Sequence, residues 1–331
     1  MDNKRLELLI PFYNETEADI KPLLDSVAIQ QAVDLNQIGV IIVVDGEEQV
    51  GLSPEFLNAY EFDIGYFVKP HSGVSATRNY ALDKSTADYV MFCDCDDMFC
   101  SVLGLWFILD TISKGGFDTL VSVFTEEGKN PMTGERFFHN RENDKTFVHG
   151  KVHRRKYLLD NNIRWNDSLT IHEDSYFNIL CQTLTSNAKY CPVPFYLWKW
   201  RDSSVCRRDP KYILKTYVNM IESNTALVKE LIGRGKKDDA RVYVTSLIYE
   251  MYFLMNKKEW LAEDNKEYRD KTERRFLRYY REFAYLVDQL PEDALRQVIS
   301  AVRTRIANEG LVMEEITFKA WIEHILSLEE V

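Results

Sequence analysis

The sequence lacks the glycine-rich phosphate cradles that define two large classes of nucleotide-binding protein. Neither GxGxxG nor GxxxxGK[ST] occurs in its 331 residues. Dinucleotide-binding folds and P-loop folds hold phosphates with the backbone of these loops. The sequence therefore argues against both classes, and any nucleotide must be held by other means.

An excess of positive charge is also missing. Lysine and arginine total 41 against 52 aspartates and glutamates, for a net charge of −11. This balance gives no general nucleic-acid footprint. No apolar run is long enough to span a bilayer, and no signal peptide is apparent. The six cysteines show no CxxC spacing, so we expect reduced thiols in a protein that is cytoplasmic or peripheral at the inner face of a membrane.

What is present in the first hundred residues is an alternation of strand and helix patterns. The run 38–44, IGVIIVV, is almost continuously β-branched, which is typical of a parallel strand covered on both faces. Strand-like runs also cover 6–10, 62–68 and 87–93, with helical patterns over 16–31, 53–60 and 73–85. This order predicts an α/β fold with a Rossmann-like, mostly parallel sheet flanked by helices.

The chain is organised around the stretch 71–97, which ends in Asp94-Cys95-Asp96-Asp97. Three carboxylates directly after a buried strand are costly unless positive charge sits beside them. Hard oxygen ligands suit Mg²⁺ or Mn²⁺, and the carboxyl ends of strands in open α/β sheets are where ligands bind. A solvated acidic turn is the alternative, but apolar runs on both sides of the cluster disfavour it.

The middle of the chain carries further polar motifs. A helix is predicted over 101–114 and a strand over 117–124, and the polar segment 125–145 is expected to be a loop or loose hairpin. The segment 149–155 is a basic knot whose side chains could contact a bound ligand, although each of them alone is expected to be a surface charge. A second acidic motif, His172-Glu173-Asp174, opens a helix over 175–184, and an aromatic strand is predicted over 190–200.

From about residue 210 the patterns are helical throughout, over 212–232, 239–255, 268–290, 291–308 and 317–328. The sequence therefore predicts two domains. Residues 1–208 would form an α/β domain, and residues 209–331 a helical domain of its own. The basic, aromatic segment 271–281 is expected to be a solvated helix face with a buried stripe.

The ordered motifs PFYNE, IIVVD, GVSATRN, DCDD and HED resemble those of family 2 glycosyltransferases, which are inverting enzymes of the GT-A fold that use nucleotide-diphosphate sugars. The resemblance covers residues 5–205 and leaves out the helical C-terminal region. It implies that the domain 1–208 is a catalytic nucleotide-sugar-binding domain, and the helical domain 209–331 would then serve acceptor binding or self-association. In this chain Asp45-Gly46-Glu47 stands where the family often has two adjacent acids.

The resemblance also implies a role for each matching residue. Asp174 corresponds to the catalytic base, with Glu173 beside it, and Asp94 and Asp96 to the pair that binds the ribose and the metal, Mn²⁺ or Mg²⁺. Asp97 could share either role, and Asn79 would support the loop that carries Arg78. The nucleotide-sugar site would comprise Pro11, Tyr13, Glu15, Asp45, Gly73, Arg78, Asp94, Cys95, Asp96, Arg201 and Ser203.

The chemistry of glycosyl transfer agrees with these roles, since it needs charge stabilisation on the leaving diphosphate and a carboxylate base for the acceptor hydroxyl. The expected donor is a UDP-sugar and the acceptor a carbohydrate or other hydroxyl compound. Two alternatives stay open: a sugar-phosphate nucleotidyltransferase and a non-catalytic module that binds a nucleotide sugar. The acidic segment 11–19 lacks the basic, glycine-rich loop that the first alternative needs, and the complete acidic motifs disfavour the second.

Overall fold

The computed structural model describes residues 4–48, 51–130, 132–202, 212–307 and 316–328. The chain divides into two compact units, residues 1–204 and 205–331. The predicted boundary between residues 208 and 209 falls in a segment outside the described residues. The roles predicted for the two domains stay predictions.

The first unit is built on a nine-stranded sheet. Its strands in chain order are β1 (Leu6–Phe12), β2 (Ile38–Asp45), β3 (Asp63–Lys69), β4 (Tyr89–Phe92), β5 (Met98–Phe99), β6 (Thr119–Lys129), β7 (Arg136–Arg141), β8 (Lys151–Arg154) and β9 (Ala188–Trp198). Its helices are α1 (Glu17–Ala28), α2 (Pro54–Leu57), α3 (Val74–Lys84), α4 (Gly104–Ser113), α5 (Arg155–Asp160) and α6 (Glu173–Leu184), with a 3₁₀ turn at Leu35–Gln37.

The sheet has the order β3-β2-β1-β4-β8-β6-β9-β5, with β7 paired to β6. The first four strands in this order are parallel, as the sequence predicts. Beyond β4 the sheet is mixed, because β8 runs antiparallel to β4 and to β6 while β6 and β9 are parallel. The predicted α/β class is confirmed, and parallel pairing is confined mainly to the N-terminal half.

The central strands are easily recognised in the sequence because they are buried and therefore apolar. All eight residues of β2 are buried, as expected for a strand with both faces covered. The parallel pairing aligns Pro11 with Val43 and Asp45 with Lys69, so β1, β2 and β3 end at one edge of the sheet. Asp94 follows β4 at the same edge. The fold therefore gathers the predicted acids on one rim.

The segment 149–155 is not the basic surface knot that the sequence suggested. Lys151 and His153 belong to β8, and their side chains are buried between the neighbouring strands. The Lys151 ammonium donates to the Phe147 carbonyl and pairs with Asp144 at 3.4 Å. Burial lowers the pKa of Lys151, and Asp144 partly offsets this effect. The interpretation was wrong because short polar strands carry little hydrophobic pattern.

The sequence predicts either a loop or a loose hairpin over the polar segment 125–145, and the structure shows a hairpin. The strand predicted over 117–124 continues to Lys129, and β7 returns antiparallel to it, with Phe124 opposite Arg141. Phe137 and Phe138 on β7 are more than half exposed. The two-residue strand β5 has no clear sequence signal.

The second unit is helical throughout its described residues, as predicted. Its helices are α7 (Tyr212–Gly233), α8 (Lys237–Met255), α9 (Lys258–Leu261), α10 (Lys266–Phe283), α11 (Glu292–Ala307) and α12 (Phe318–Ser327), with 3₁₀ turns at Glu263–Asn265 and Ala284–Gln289. Large aromatic side chains, including Tyr217, Trp260 and Phe276, are buried in it. Across the described chain, no helix combines the length and the apolarity needed to cross a membrane.

Candidate active site

The loop after β3 is organised by Asp45 at the end of β2. The Asp45 carboxylate accepts hydrogen bonds from Lys69 Nζ at 2.5 Å and from the backbone N–H groups of Ser72 and Gly73, both at 2.9 Å. Burial raises the pKa of Asp45, but these three donors outweigh it and lower the pKa below its usual value. Asp45 therefore stays charged and fixes the start of α3.

Gly73 precedes α3 with a backbone φ of +89°, which residues with a side chain rarely adopt. A Cβ atom placed there would meet nothing within 4 Å. The backbone conformation, and not crowding, therefore requires glycine at this position. The space above Gly73 is open for a ligand.

Aromatic surface lies next to this loop. The Tyr13 ring, which follows β1, stacks on the His71 ring with centroids 4.7 Å apart. Tyr13 is 39% exposed, and its backbone N–H donates to Glu15 at 2.9 Å. Pro11 is partly buried at the end of β1. This corner offers a flat, rigid face of the kind on which a nucleotide base could stack.

Arg78 joins the two acidic motifs of the sequence. Its guanidinium lies 2.8 Å from Asp94 Oδ1 and 3.0 Å from Glu173 Oε1, and the side chain is almost completely buried. It also lies over the Trp165 ring, 4.4 Å from the centroid. Residues far apart in the chain, Asp94 and the pair Glu173-Asp174, therefore belong to one site.

Asn79, on the same helix, bonds to the segment before the second acidic motif. Its side chain donates to the Trp165 carbonyl and accepts from the Trp165 N–H, at 2.9 and 3.0 Å. Ser75 on α3 donates to the Leu169 carbonyl at 3.4 Å. Helix α3 thus fixes the approach to α6 as well as the loop after β3.

Arg201, just beyond β9, lies among three carboxylates. Its guanidinium is 2.8 Å from Asp96, 3.8 Å from Glu15 and 4.0 Å from Asp19. These acids come from two segments of the chain, the start of α1 and the turn after β4. The arrangement shows that this corner attracts a cation, and here an arginine of the chain itself supplies the charge.

Asp97 connects the acidic turn to the end of β9. It is fully buried, and it accepts hydrogen bonds from the Tyr196 hydroxyl at 2.9 Å and from the Lys199 N–H at 3.0 Å. Because Lys199 lies two residues before Arg201, Asp97 fixes the segment that carries the guanidinium. Asp97 therefore has a positioning role in this structure.

His149 is a member of the site that the sequence did not single out. Its Nδ1 atom lies 3.3 Å from Asp97 Oδ2, and its ring stacks on Trp198 with centroids 5.0 Å apart. Burial lowers the pKa of His149, but Asp97 raises it by more, so the net pKa lies above its ordinary value. The interpretation of His149 as a surface charge was wrong, since the side chain is 3% exposed.

The donor groups here fit a divalent metal. Atoms of Asp94, Asp97 and His149 lie within 4.8 Å of one another, and the buried Nδ1 of His149 makes no well-aligned hydrogen bond. Asp96, which the sequence predicts as a metal ligand, is not in this cluster, and its carboxylate pairs with Arg201 at 2.8 Å. Carboxylate oxygens and an imidazole nitrogen are both common ligands of divalent ions in proteins.

Asp174 lies in the first turn of α6 and accepts a hydrogen bond from the Ser175 N–H at 2.7 Å. Burial, and then the neighbouring Glu173, raise the pKa of Asp174 to about 7, although Arg78 acts in the opposite direction. A carboxyl group that titrates near neutral pH is well matched to accept a proton. The preceding His172 has φ of +62°, an uncommon conformation for a residue other than glycine.

Cys95 and Ser203 are the two predicted nucleotide-site residues whose side chains the structure does not place at the site. The Cys95 side chain is packed in the hydrophobic core, so a contact with a nucleotide could come only from its backbone. Ser203 lies outside the described residues. The remaining predicted site residues lie near the carboxyl ends of the strands or in the segments that bond to them.

Comparison with known sequences supports the resemblance. Residues 7–101 match the family model described as glycosyl transferase family 2, which confirms the predicted resemblance over this segment. The chain is 22% identical over 259 residues to EpsH of Bacillus subtilis (strain 168), which is named as a glycosyltransferase. That alignment covers 70% of this chain and 71% of EpsH.

Solved structures show the same fold. The first 349 residues of S. aureus TarS match with a TM-score of 0.62 and 15% identity, covering 91% of each chain. The same TarS region in complex with UDP-GlcNAc matches with a TM-score of 0.60 and 17% identity, over 91% of this chain and 92% of that one. The mannosyltransferase PcManGT from Pyrobaculum calidifontis, solved with GDP-Man and Mn²⁺, matches with a TM-score of 0.50 and 13% identity, covering 69% of this chain and 65% of its own. These likenesses establish the predicted GT-A fold.

Proposed function

We propose that this chain, which matches glycosyl transferase family 2 over residues 7–101, transfers a sugar from a nucleotide-diphosphate donor to an acceptor hydroxyl with inversion. The observation that carries the proposal is the bridge from Asp94 through Arg78 to Glu173. This bridge supports the proposal because it links Asp94, which we propose binds the donor, to Glu173, the neighbour of Asp174 in the chain. We infer a UDP-sugar as donor, in keeping with the TarS structures that contain UDP and UDP-GlcNAc.

The donor would lie across the strand ends. Tyr13 would stack on the base, and Glu15 and the loop fixed by Asp45 would contact the nucleoside. The open face above Gly73 leaves room for the ribose and the diphosphate. Arg201 would leave its carboxylate partners and pair with the diphosphate, to which a guanidinium binds through two parallel hydrogen bonds.

We propose that Asp94 and Asp96 hold a divalent ion, with Asp97 and His149 close enough to assist. When bound, such an ion would neutralise charge that develops on the leaving diphosphate. In the structure Arg201 pairs with Asp96 at 2.8 Å, and it would have to release this carboxylate for Asp96 to hold the ion. Arg78 meanwhile keeps Asp94 charged, since its positive charge outweighs the burial that raises the pKa of Asp94.

Asp174 would act as the base. It would accept the proton of the acceptor hydroxyl on the face of the sugar opposite the diphosphate, as an in-line displacement requires. Glu173 is held by Arg78 and is therefore less suited to take the proton. The raised pKa of Asp174 gives it a stronger affinity for that proton than an exposed aspartate has.

The pH dependence of turnover should reflect this group. Because the base works in its deprotonated form, kcat/KM is expected to rise as the pH increases through about 7 and then to level off. Initial rates of donor turnover over about pH 5 to 9 would measure the profile. A profile that falls as the pH rises through neutrality would contradict the assignment of Asp174 as base.

Substitution Asp96→Asn tests the cation-binding corner. The amide keeps the shape of the side chain but loses its charge, so we expect Mn²⁺-dependent donor turnover to fall by about 10²-fold or more. Direct titration with Mn²⁺ in the presence of UDP should show weaker binding. Asp110→Asn, on α4 where Asp110 is partly exposed and pairs with Lys114, removes the same charge away from the site and should leave both measurements unchanged.

The proposed function as a whole can be tested by thermal unfolding against a panel of nucleotide sugars with Mn²⁺. A true donor at roughly a hundredfold excess over its Kd should stabilise the protein by about 2.7 kcal/mol. Slow hydrolysis of that donor would separate an enzyme from a non-catalytic binding module. Release of pyrophosphate from nucleoside triphosphates would instead favour the nucleotidyltransferase.

We further propose that the helical second unit holds the acceptor or mediates self-association. The acceptor would be a carbohydrate or another compound with a free hydroxyl. A place in the cytoplasm, or at the inner face of a membrane, follows from the use of nucleotide-activated donors. Measuring the molar mass of the full chain in solution would test the self-association.

A further inference from the structure

The second unit contains a cleft of about 550 Å³ between α7 and α10. Helix α7 contributes Val218 and Glu222 to its lining. The other lining residues all come from α10 and are Glu267, Asp270, Lys271, Arg274, Arg275 and Arg278. A volume of this size is in the range of small-molecule binding sites. The cleft lies outside the proposed glycosyl-transfer site.

The acids of this cleft are largely neutralised by other groups. Glu222 pairs with Arg275, and Asp270 pairs with Lys266 one turn earlier on α10. Among the described residues, Lys271 and Arg274 are in no ion pair, and both side chains are exposed. Glu267 is the remaining carboxylate, at the N-terminal end of the cleft. Positive charge therefore increases along α10 towards its C-terminal end.

The cations follow one face of the helix. Lys271, Arg274 and Arg278 are spaced three and four residues apart, so they project from the same side of α10. The seven residues from Lys271 to Arg278 correspond to about 10 Å along the helix axis. A single inorganic phosphate could contact only part of this row, whereas a chain with several phosphates could contact all of it.

The burial of the apolar side chains of α10 argues against a membrane surface as the partner. Phe276, Leu277 and Phe283 are buried in the second unit, and no large hydrophobic side chain of α10 is exposed. Helices that lie on a bilayer insert such residues between the lipids. A concave, charged cleft without them is suited to a dissolved anion. Guanidinium groups bind phosphate through two parallel hydrogen bonds, so the arginines of this row are suited to phosphate groups.

We propose that the cleft between α7 and α10 binds a phosphate-bearing chain. The net charge of the whole protein is −11, so this face differs in sign from the average surface. As a binding site it stands independently of the proposed glycosyl transfer. Its identification as the acceptor site of that reaction rests on the proposed function.

The test uses the full chain with long-chain linear polyphosphate as the probe, titrated by calorimetry at two salt concentrations. The double variant Lys271→Glu/Arg274→Glu should bind at least about tenfold more weakly, with a smaller dependence on salt. The matched control is Arg296→Glu/Lys319→Glu, which makes the same charge change at exposed residues of α11 and α12. The control should bind as the natural sequence does.

Equal weakening in both double variants, or no binding by the natural sequence, would overturn the proposal. Binding to vesicles of anionic lipid that is lost in the first variant, with no binding of polyphosphate, would also overturn it and assign the face to a membrane. Thermal stabilisation by nucleotide sugars should be the same in all three proteins. Failure of the cleft and failure of the donor site are therefore observed separately.

Discussion

Replacing Asp174 with asparagine is expected to reduce donor turnover by about 10²- to 10⁴-fold, the contribution usually measured for a general base. The amide oxygen can still accept the hydrogen bond from the Ser175 N–H, so the first turn of α6 should stay in place. What is lost is the ability to take a proton. Release of UDP from the donor identified by thermal unfolding would measure the loss.

The same variant should be more stable than the natural sequence at neutral and higher pH. The pKa of Asp174 is raised to about 7 from an ordinary value of 3.8, so the folded protein favours its protonated form. The stability associated with that form is complete below 3.8 and is lost as the pH rises to about 7. Asparagine does not ionise and avoids this loss. Unfolding in urea at about pH 8 and about pH 4 would measure the difference.

Glu173→Gln is the matched control, because it removes a neighbouring carboxylate that faces Arg78 and not the proposed acceptor. It should retain far more turnover than Asp174→Asn. If Asp174→Asn kept nearly full turnover, or if the two variants lost turnover equally, Asp174 would not be the base.

Replacing Arg78 with methionine is expected to have the largest effect on stability. Methionine fills a similar volume but leaves Asp94 and Glu173 without their shared cation. Breaking a buried ion pair in this way costs about 3–5 kcal/mol. Because the Asp94 side chain is 34% exposed, solvent should bring the loss towards the lower end of that range. The midpoint and slope of urea unfolding would measure it.

The loss in Arg78→Met should depend on pH in a defined direction. Arg78 lowers the pKa of Asp94, so the ion pair stabilises the fold above an ordinary pKa of 3.8 and this contribution is lost as the pH falls. The variant should therefore be most impaired at neutral pH. Arg78→Lys keeps the charge but cannot reach both carboxylates with a planar group, and it should show an intermediate loss. Equal stability of all three proteins would show that the bridge is unimportant.

Much of the fold could be predicted because its signal is hydrophobic. The run 38–44 is apolar at nearly every position, and β2 is buried at every position. The alternation of such strands with helices gave the α/β class, and the strand ends gave the location of Asp45 and Asp94. These predictions depend on local patterns that a single sequence displays.

The rest of the site depends on contacts between distant segments, which no local pattern records. Lys151 and His149 look like surface charges in the sequence, because nothing near them shows that β8 lies between β4 and β6. The carboxylates around Arg201 come from residues more than a hundred positions away. One sequence signal was available for His149: it directly follows the apolar pair Phe147-Val148, which is compatible with burial.

The position of Arg201 among Glu15, Asp19 and Asp96 means that the enzyme we propose carries its own counter-ion. The single guanidinium charge offsets part of the repulsion between these three acids, so we expect the fold to tolerate the absence of a metal ion at this corner. A divalent ion would then behave as a partner that enters and leaves with the nucleotide, unlike the ions that hold small metalloproteins together. Such a protein could remain intact through periods of metal scarcity and resume work when the ion returns.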